Sequence, residues 1–184
     1  MRYKITLSYN GAGFCGWQVQ PDAPSVQGTL QDALAILLHS EITVTGAGRT
    51  DTGVNASHYV AHFDSDAPVE CAEICYKLNA ILPSGIAVRS IEPVGDDFHA
   101  RFGATKREYT YFLHRCKDPF VEKFSWLYQF PDLDFDAMNL AARQLLGTHD
   151  FSCFEKTGAD NKTSTCTVTE ACWYRKDDDH WYFR

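Results

Sequence analysis

Residues 2–10 read RYKITLSYN, and apolar side chains stand at every second position. This period of two is typical of a strand that buries one face and exposes the other. The glycines of residues 11–16, GAGFCG, then end the strand in a loop. We therefore expect the first strand of a sheet that is covered by helices on a single face. The residues on its buried side are Tyr3, Ile5, Leu7 and Tyr9.

Helical and strand patterns alternate from this strand to residue 94. Ser25 can cap a helix over 26–38, where apolar residues recur at helical spacing. A second helix is predicted over 68–81. The order β-α-β-β-α-β predicts an α+β unit, an antiparallel sheet with helices, which we assign to residues 1–103. The remaining strand patterns of this unit cover 42–47, 57–63 and 86–94.

Residues 104–184 predict a second, related unit of sheet and helices, with a cleft between the two units. Its pattern β, α, β, β begins with a strand over 106–115. A helix follows, which starts at Asp134 or Asp136 and ends at Leu146, and then come strands over 163–175 and from residue 180 onward. The final residues form an apolar run with no turn or polar tail after it. We therefore expect this second unit to be incomplete, and the chain to be inactive or nearly so.

Composition narrows the class of protein. The chain has 184 residues, of which 45% are hydrophobic and 22% charged, as in ordinary globular proteins. Its formal net charge of -7 argues against binding nucleic acid by bulk electrostatic attraction, although it leaves room for a local basic cleft. Seven cysteines without CxxC spacing indicate reduced thiols in a cytoplasmic protein. The sequence shows no signal peptide and no apolar run of roughly 18 residues, so we expect no membrane partner.

The stretch 46–56, GAGRTDTGVNA, carries the residues best suited to chemistry. In extended backbone, residues i and i+2 point the same way, so Arg49 and Asp51 can lie side by side. A neighbouring guanidinium keeps a carboxylate ionised, and an ionised carboxylate in a dry cleft can act as a nucleophile or base. A surface turn with an ion pair would show the same letters. The Asp-Thr-Gly triplet also occurs in aspartic proteases, but there it follows an apolar strand, and an adjacent Arg opposes the shared proton that their mechanism needs.

Six blocks of sequence follow one another along the chain: Gly16–Gln20, Ser25–Gly28, Ala47–Asp51, Leu78–Pro83, Phe98–Phe102 and Arg107–Tyr111. In this order they resemble the tRNA pseudouridine synthase A family (TruA-like). One departure is Asn55, where the family usually has His, and this puts the role of that His in doubt here.

This resemblance implies an enzyme that isomerises uridine to pseudouridine in the anticodon arm of tRNA, at positions 38 to 40. Asp51 would be the catalytic aspartate, Arg49 its ion-pair partner and Tyr109 the aromatic residue that lies on the uracil. The family also implies a homodimer. No step needs a metal, nucleotide or redox cofactor, and we expect none. His58 and His62 share a strand face, but they lack a third metal ligand.

Four polar residues of these blocks are expected to bind the RNA substrate: Gln18, Arg101, Lys106 and Arg107. Arg101 and Lys106 flank a predicted turn, where they could meet phosphates. Tyr109 and Tyr111 lie two residues apart in a predicted strand and so share one of its faces. One of them could therefore pack in a core instead of contacting the RNA.

An RNA-binding module without catalysis is the alternative function. The order β-α-β-β-α-β is also that of the RRM, which binds single strands by aromatic stacking. The glycine- and aromatic-rich RNP1 octamer of that module is absent, however, and a binding module has no need of the Arg49 and Asp51 pair.

Overall fold

The computed structural model describes residues 1–130, 133–155 and 163–184. Within these ranges it is a mixed α+β structure with antiparallel sheets and three α-helices. The chain divides into two compact units, Met1–Lys106 and Arg107–Arg184. None of the helices in the described ranges is both long and apolar enough to cross a membrane.

The first unit contains a four-stranded antiparallel sheet with the strand order β2-β3-β1-β4. One helix connects β1 to β2 and another connects β3 to β4, while a 3-10 helix, Gly11–Gly13, follows β1 directly. The elements are β1 (Arg2–Tyr9), α1 (Val26–Leu38), β2 (Val44–Gly46), β3 (Ala56–Asp64), α2 (Cys71–Ile81) and β4 (Ile86–Val94).

One hydrophobic core joins this sheet to both helices. Alternate residues of a strand point to the same face, so the buried odd-numbered residues of β1 define the covered face of the sheet. Apolar residues from α1 and α2 belong to the same buried cluster, which places both helices on that face. The alternation of residues 2–10 therefore predicted the covered face correctly. Cluster members include Tyr3, Ile5, Leu7, Tyr9, Val26, Leu30, Leu34, Ile74 and Leu78.

The first helix has the predicted bounds. The Ser25 side chain accepts a hydrogen bond from the Gly28 N–H at 3.1 Å, as the predicted cap should. The prediction that α2 starts at residue 68 is wrong, since α2 begins at Cys71. The Val69 N–H donates to the Tyr3 hydroxyl at 3.0 Å, so the backbone before Cys71 is bound to β1 and does not wind into the helix.

The second strand is shorter than the predicted 42–47. It covers Val44–Gly46, which pair with Phe63, His62 and Ala61 of β3. Two glutamines of α1 bond to the backbone of Val44, Gln31 accepting from its N–H and Gln27 donating to its C=O. Helix α1 thus supplies hydrogen bonds at the point where strand pairing begins.

The second unit contains a four-stranded sheet with the order β6-β5-β10-β9 and a two-stranded sheet of β7 and β8. Strands β5 and β6 pair in parallel, whereas the other pairs are antiparallel. Helix α3 is followed by a 3-10 helix, Arg143–Leu145, and β7 by another, Ser152–Phe154. The elements are β5 (Tyr111–His114), β6 (Trp126–Leu127), α3 (Phe135–Ala142), β7 (Gly147–Asp150), β8 (Thr165–Val168), β9 (Trp173–Arg175) and β10 (His180–Phe183).

The predicted order β, α, β, β is wrong for this second unit. The strand predicted over 106–115 is only Tyr111–His114, because β10 pairs with those four residues alone. The single strand predicted over 163–175 is two strands, since Thr165–Val168 pairs with β7 and Trp173–Arg175 with β10. The helix predicted to reach Leu146 ends at Ala142, where the chain tightens into the 3-10 helix.

Local signals in this unit were more accurate than the element order. Asp134 accepts a hydrogen bond from the Ala137 N–H at 2.9 Å and caps α3, so the first of the two predicted start residues is correct. Phe135 then stacks on Trp181 with ring centroids 4.9 Å apart. The acidic run 177–179 forms the hairpin turn between β9 and β10, closed by a hydrogen bond of 2.9 Å from the Lys176 N–H to the His180 carbonyl.

Candidate active site

Asp51 lies in the connection between β2 and β3. We call residues 47–55 the Asp51 loop. The Thr50 and Tyr9 hydroxyls are hydrogen-bonded at 2.9 Å, so the Thr50 side chain points toward the sheet. The side chains on either side of it, Arg49 and Asp51, are exposed. This alternation presents Arg49 and Asp51 to solvent on the outer side of the loop.

A tyrosine from β3 holds the start of the loop. Beyond Gly46, the Ala47 N–H donates to the Val60 carbonyl at 2.9 Å and extends the strand pairing by one residue. At Gly48 the side chain of Tyr59 takes over. Its hydroxyl accepts from the Gly48 N–H at 3.2 Å and donates to the Gly48 C=O.

The loop after β1 holds the centre of the Asp51 loop. The Trp17 N–H donates to the Thr50 carbonyl at 3.0 Å. Gly16 has a φ of +90°, and a Cβ at that position would lie 2.5 Å from the same carbonyl oxygen. This position needs glycine both for its conformation and for the close approach of the two backbones.

The end of the loop is a tight turn anchored by Asn55. The Val54 N–H donates to the Asp51 carbonyl at 3.2 Å, and Gly53 has the φ of +80° that a type II turn requires at this place. The Asn55 side-chain oxygen then accepts from the Gly11 N–H at 2.8 Å. Asn55 therefore ties the end of the Asp51 loop to the glycine loop after β1.

Three aromatic side chains, Tyr9, Trp17 and Tyr59, pack together beneath the Asp51 loop. We call them the aromatic cluster. The ring centroids of Trp17 and Tyr59 are 4.2 Å apart, and Tyr9 lies 5.5 Å from Tyr59 and 6.1 Å from Trp17. All three residues are buried. A β-bulge between Leu7 and Tyr9 gives β3 an extra residue at this end of the sheet, a distortion often found beside functional sites.

Comparison with known proteins identifies the family. The tRNA pseudouridine synthase family model matches residues 5–103, which lie within the first unit. The chain is 44% identical to the tRNA pseudouridine synthase A of Parabacteroides distasonis over 184 residues, which are 99% of this chain and 72% of that relative. It is 45% identical to that of Porphyromonas gingivalis over 174 residues, 94% of this chain and 69% of the relative. The chain belongs to the tRNA pseudouridine synthase family. The tRNA pseudouridine synthase A of Bacillus licheniformis is 44% identical over 176 residues, 94% of this chain and 71% of the relative.

The predicted RNA-binding residues lie in different parts of the chain. Gln18 is exposed and directly follows Trp17 of the aromatic cluster. Arg101 is partly buried, with its guanidinium 5.8 Å from the centre of the Phe102 ring. Lys106 is exposed at the end of the first unit. Arg107 and Tyr109 belong to the second unit, where both are exposed in the irregular segment before β5.

Two histidines hold the segment that carries Arg101. The Nδ1 atom of His62 accepts from the Ala100 N–H at 3.2 Å, and the Nδ1 atom of His99 accepts from the Arg101 N–H at 3.2 Å. The two imidazole rings contact each other edge to face, with centroids 4.9 Å apart. Burial lowers the pKa of His62, and the charges of Arg2 and His99 lower it further. A neutral His62 is what this contact requires, because a protonated Nδ1 could not accept a hydrogen bond.

In the described ranges, the structure assembles no set of ligands for a metal ion. No group of three or more His, Cys, Asp or Glu residues is placed there to hold an ion. His62 is buried against the 98–102 segment, whereas His58 is exposed. All seven cysteines are free thiols, and burial raises the pKa values of Cys71 and Cys75.

Proposed function

We propose that this chain isomerises uridine to pseudouridine in tRNA, with Asp51 as its catalytic carboxylate. The observation that carries the proposal is the Asp51 loop, in a chain that belongs to the tRNA pseudouridine synthase family. The loop is fixed at Gly48, Thr50 and Asn55 while Asp51 itself is exposed to an incoming substrate. A preorganised backbone with an accessible carboxylate suits a catalytic group.

The chemistry explains why a carboxylate is needed. The N1–C1′ bond of uridine breaks, the uracil turns, and C5 bonds to C1′. C5 loses its proton and N1 gains one, so no atom is added or lost overall. Breaking the glycosidic bond develops positive charge on the sugar, and a carboxylate beside C1′ stabilises that charge. Since Asp51 is exposed in the free protein, the bound RNA must exclude water from it during the reaction.

Tyr109 supports the later steps of this proposal. By its resemblance to the family block Arg107–Tyr111, it stacks on the target uracil and keeps the freed base from escaping. Its ring is accessible for such stacking, with 57% of the residue exposed. Tyr109 or a water beside it is the base that removes the C5 proton. Arg49, two residues before Asp51, is the proposed ion-pair partner of the Asp51 carboxylate.

The contacts with the RNA substrate come from a few individual side chains. With a net charge of -7, the chain cannot rely on overall attraction to phosphates, so Arg101, Lys106 and Arg107 supply local contacts and Gln18 a polar one. The family resemblance supports the uridines at positions 38 to 40, in the anticodon arm, as the proposed target. It also indicates a homodimer, which suits a tRNA that is larger than a subunit of 20.8 kDa. Sedimentation velocity tests the dimer through the mass of the protein in solution.

Tritium release from tRNA labelled at C5 of uridine tests the reaction. The proposal predicts that the parent chain releases tritium, against the near-inactivity expected from the sequence alone, and that Asp51→Asn releases none. Transcripts in which the uridines at 38 to 40 are replaced should give no release with either protein. A parent chain that binds tRNA without releasing tritium would be an RNA-binding module, and the proposed enzyme function would be wrong.

A further inference from the structure

Tyr59 places its hydroxyl where the pairing of β2 with β3 ends. The ladder runs as far as Gly46, opposite Ala61, and the Ala47 N–H adds one bond to Val60. At the next residue, Gly48, both the backbone N–H and the C=O bond to the Tyr59 hydroxyl. A side chain of β3 thus continues the pairing that its backbone no longer provides.

Packing makes this hydroxyl a rigid support. Only 8% of Tyr59 is exposed, and its ring lies against Trp17 and Tyr9 in the aromatic cluster. The backbone entering the Asp51 loop lies directly on these rings, because a Cβ at Gly46 would overlap the Tyr59 hydroxyl and the Trp17 indole. In a core packed this closely, the hydroxyl cannot shift without moving the rings.

The same cluster holds the chain again just before Asp51. Thr50 bonds to the Tyr9 hydroxyl through its side chain and to the Trp17 N–H through its carbonyl. The backbone is therefore fixed at Gly48 and at Thr50, with Arg49 between them. We propose that Tyr59 is a positioning residue for Asp51, whose hydroxyl sets the path on which the chain reaches the catalytic carboxylate. This inference rests on the proposed function.

The variant Tyr59→Phe tests this role, because it keeps the ring and removes only the hydroxyl. Catalysis depends on the placement of reacting groups to within about 1 Å, so kcat should fall about 10- to 100-fold. KM and the Kd for tRNA should stay within about twofold, since the hydroxyl is buried beneath the loop and does not meet RNA.

A matched control is Tyr3→Phe. Tyr3 is another buried tyrosine of the same sheet, and its hydroxyl also accepts a backbone N–H, that of Val69 at 3.0 Å. It pairs with Phe63 at the other end of β3, whereas Tyr59 pairs with Leu7. Both variants lose one buried hydroxyl and should lose similar thermal stability. Only Tyr59→Phe should lose kcat.

The outcomes separate this role from general stability and from the proposed function. Equal kcat values for Tyr59→Phe and Tyr3→Phe would overturn the positioning role. A loss of tRNA affinity as large as the loss of kcat would overturn it as well, since the hydroxyl would then shape the RNA-binding surface. If the parent chain releases no tritium, or Asp51→Asn still does, the proposed function fails and the role of Tyr59 fails with it.

Discussion

Gly16 and Thr50 approach so closely that no side chain fits between them. A Cβ on Gly16 would lie 2.5 Å from the Thr50 carbonyl oxygen, and the next residue, Trp17, donates its N–H to that same oxygen at 3.0 Å. The backbone of the loop after β1 thus supports Thr50, the residue that precedes Asp51. Substitutions in that loop should therefore shift the Asp51 carboxylate, even though they remove no catalytic group.

The first prediction concerns the contact between Gly16 and Thr50. Gly16→Ala should lower the free energy of unfolding by about 1–2 kcal/mol, because a side chain at a φ of +90° is strained, and the overlap with Thr50 adds to this. Turnover in the tritium assay should fall too. Gly13→Ala is the matched control in the same loop, since a Cβ there meets nothing within 4 Å. Equal stability of the two variants in urea unfolding would show that this contact does not stabilise the protein.

The second prediction separates catalysis from binding. Asp51→Asn keeps the volume of the side chain and removes its charge, so turnover should fall below detection. The Kd for tRNA should change by no more than about twofold at fixed salt, because affinity comes mainly from phosphate contacts. Asp32→Asn, an exposed carboxylate on α1, is the control and should keep full turnover. Pseudouridine formed by purified Asp51→Asn would remove Asp51 from the mechanism.

Much of the first unit could be predicted because its patterns are local. Helix α1 has the predicted bounds, since its cap and apolar spacing lie within the segment itself. The start of α2 could not be predicted, because it depends on a bond from Val69 to Tyr3, which is 66 residues away. In the second unit, the β-branched and aromatic residues of 163–175 indicated a strand, but not that its two parts would join different sheets.

The candidate site divides in the same way. The glycines and the Arg49–Asp51 spacing marked the loop, because those residues are neighbours in sequence. The hydroxyls of Tyr9 and Tyr59 could not be assigned to it, since each belongs to a strand pattern and reaches the loop only in the folded sheet. Asn55 departs from the family pattern in the sequence, but its bond to Gly11 is apparent only in the folded structure.

The third prediction concerns Asn55. Asn55→Ala removes the acceptor of the Gly11 N–H, and should cost about 1 kcal/mol of unfolding free energy or more, because Gly11 is buried. Asn55→Asp keeps an oxygen in the same place and should recover most of that loss. Urea unfolding of both variants measures the difference. If Asn55→Asp is as unstable as Asn55→Ala, the hydrogen bond to Gly11 does not hold the loop.

The fourth prediction concerns pH and follows from the lowered pKa of His62, which is 4% exposed. Above the ordinary value of about 6.5, His62 is neutral in both the folded and the unfolded chain and adds no pH dependence. Below it, the unfolded chain binds a proton that the folded chain does not. The free energy of unfolding should therefore fall as pH drops from 7 to 5, by up to about 1.4 kcal/mol per pH unit, until the folded pKa is passed.

His58 provides the control that isolates this effect, since it is an exposed histidine on the same strand. His62→Gln should remove part of the stability loss between pH 7 and 5, whereas His58→Gln should leave that loss unchanged. Asp64 does not confuse the comparison, because its hydrogen bond from Arg2 holds its pKa below the ordinary 3.8, outside this range.

Protonated His62 also loses its bond from the Ala100 N–H, so acid should loosen the segment that carries Arg101. The protection factor of the Ala100 amide, which compares its exchange with the intrinsic rate at the same pH, should then fall below the folded pKa of His62. An unchanged protection factor, together with the same pH dependence of stability in both variants, would show that His62 is not the titrating group.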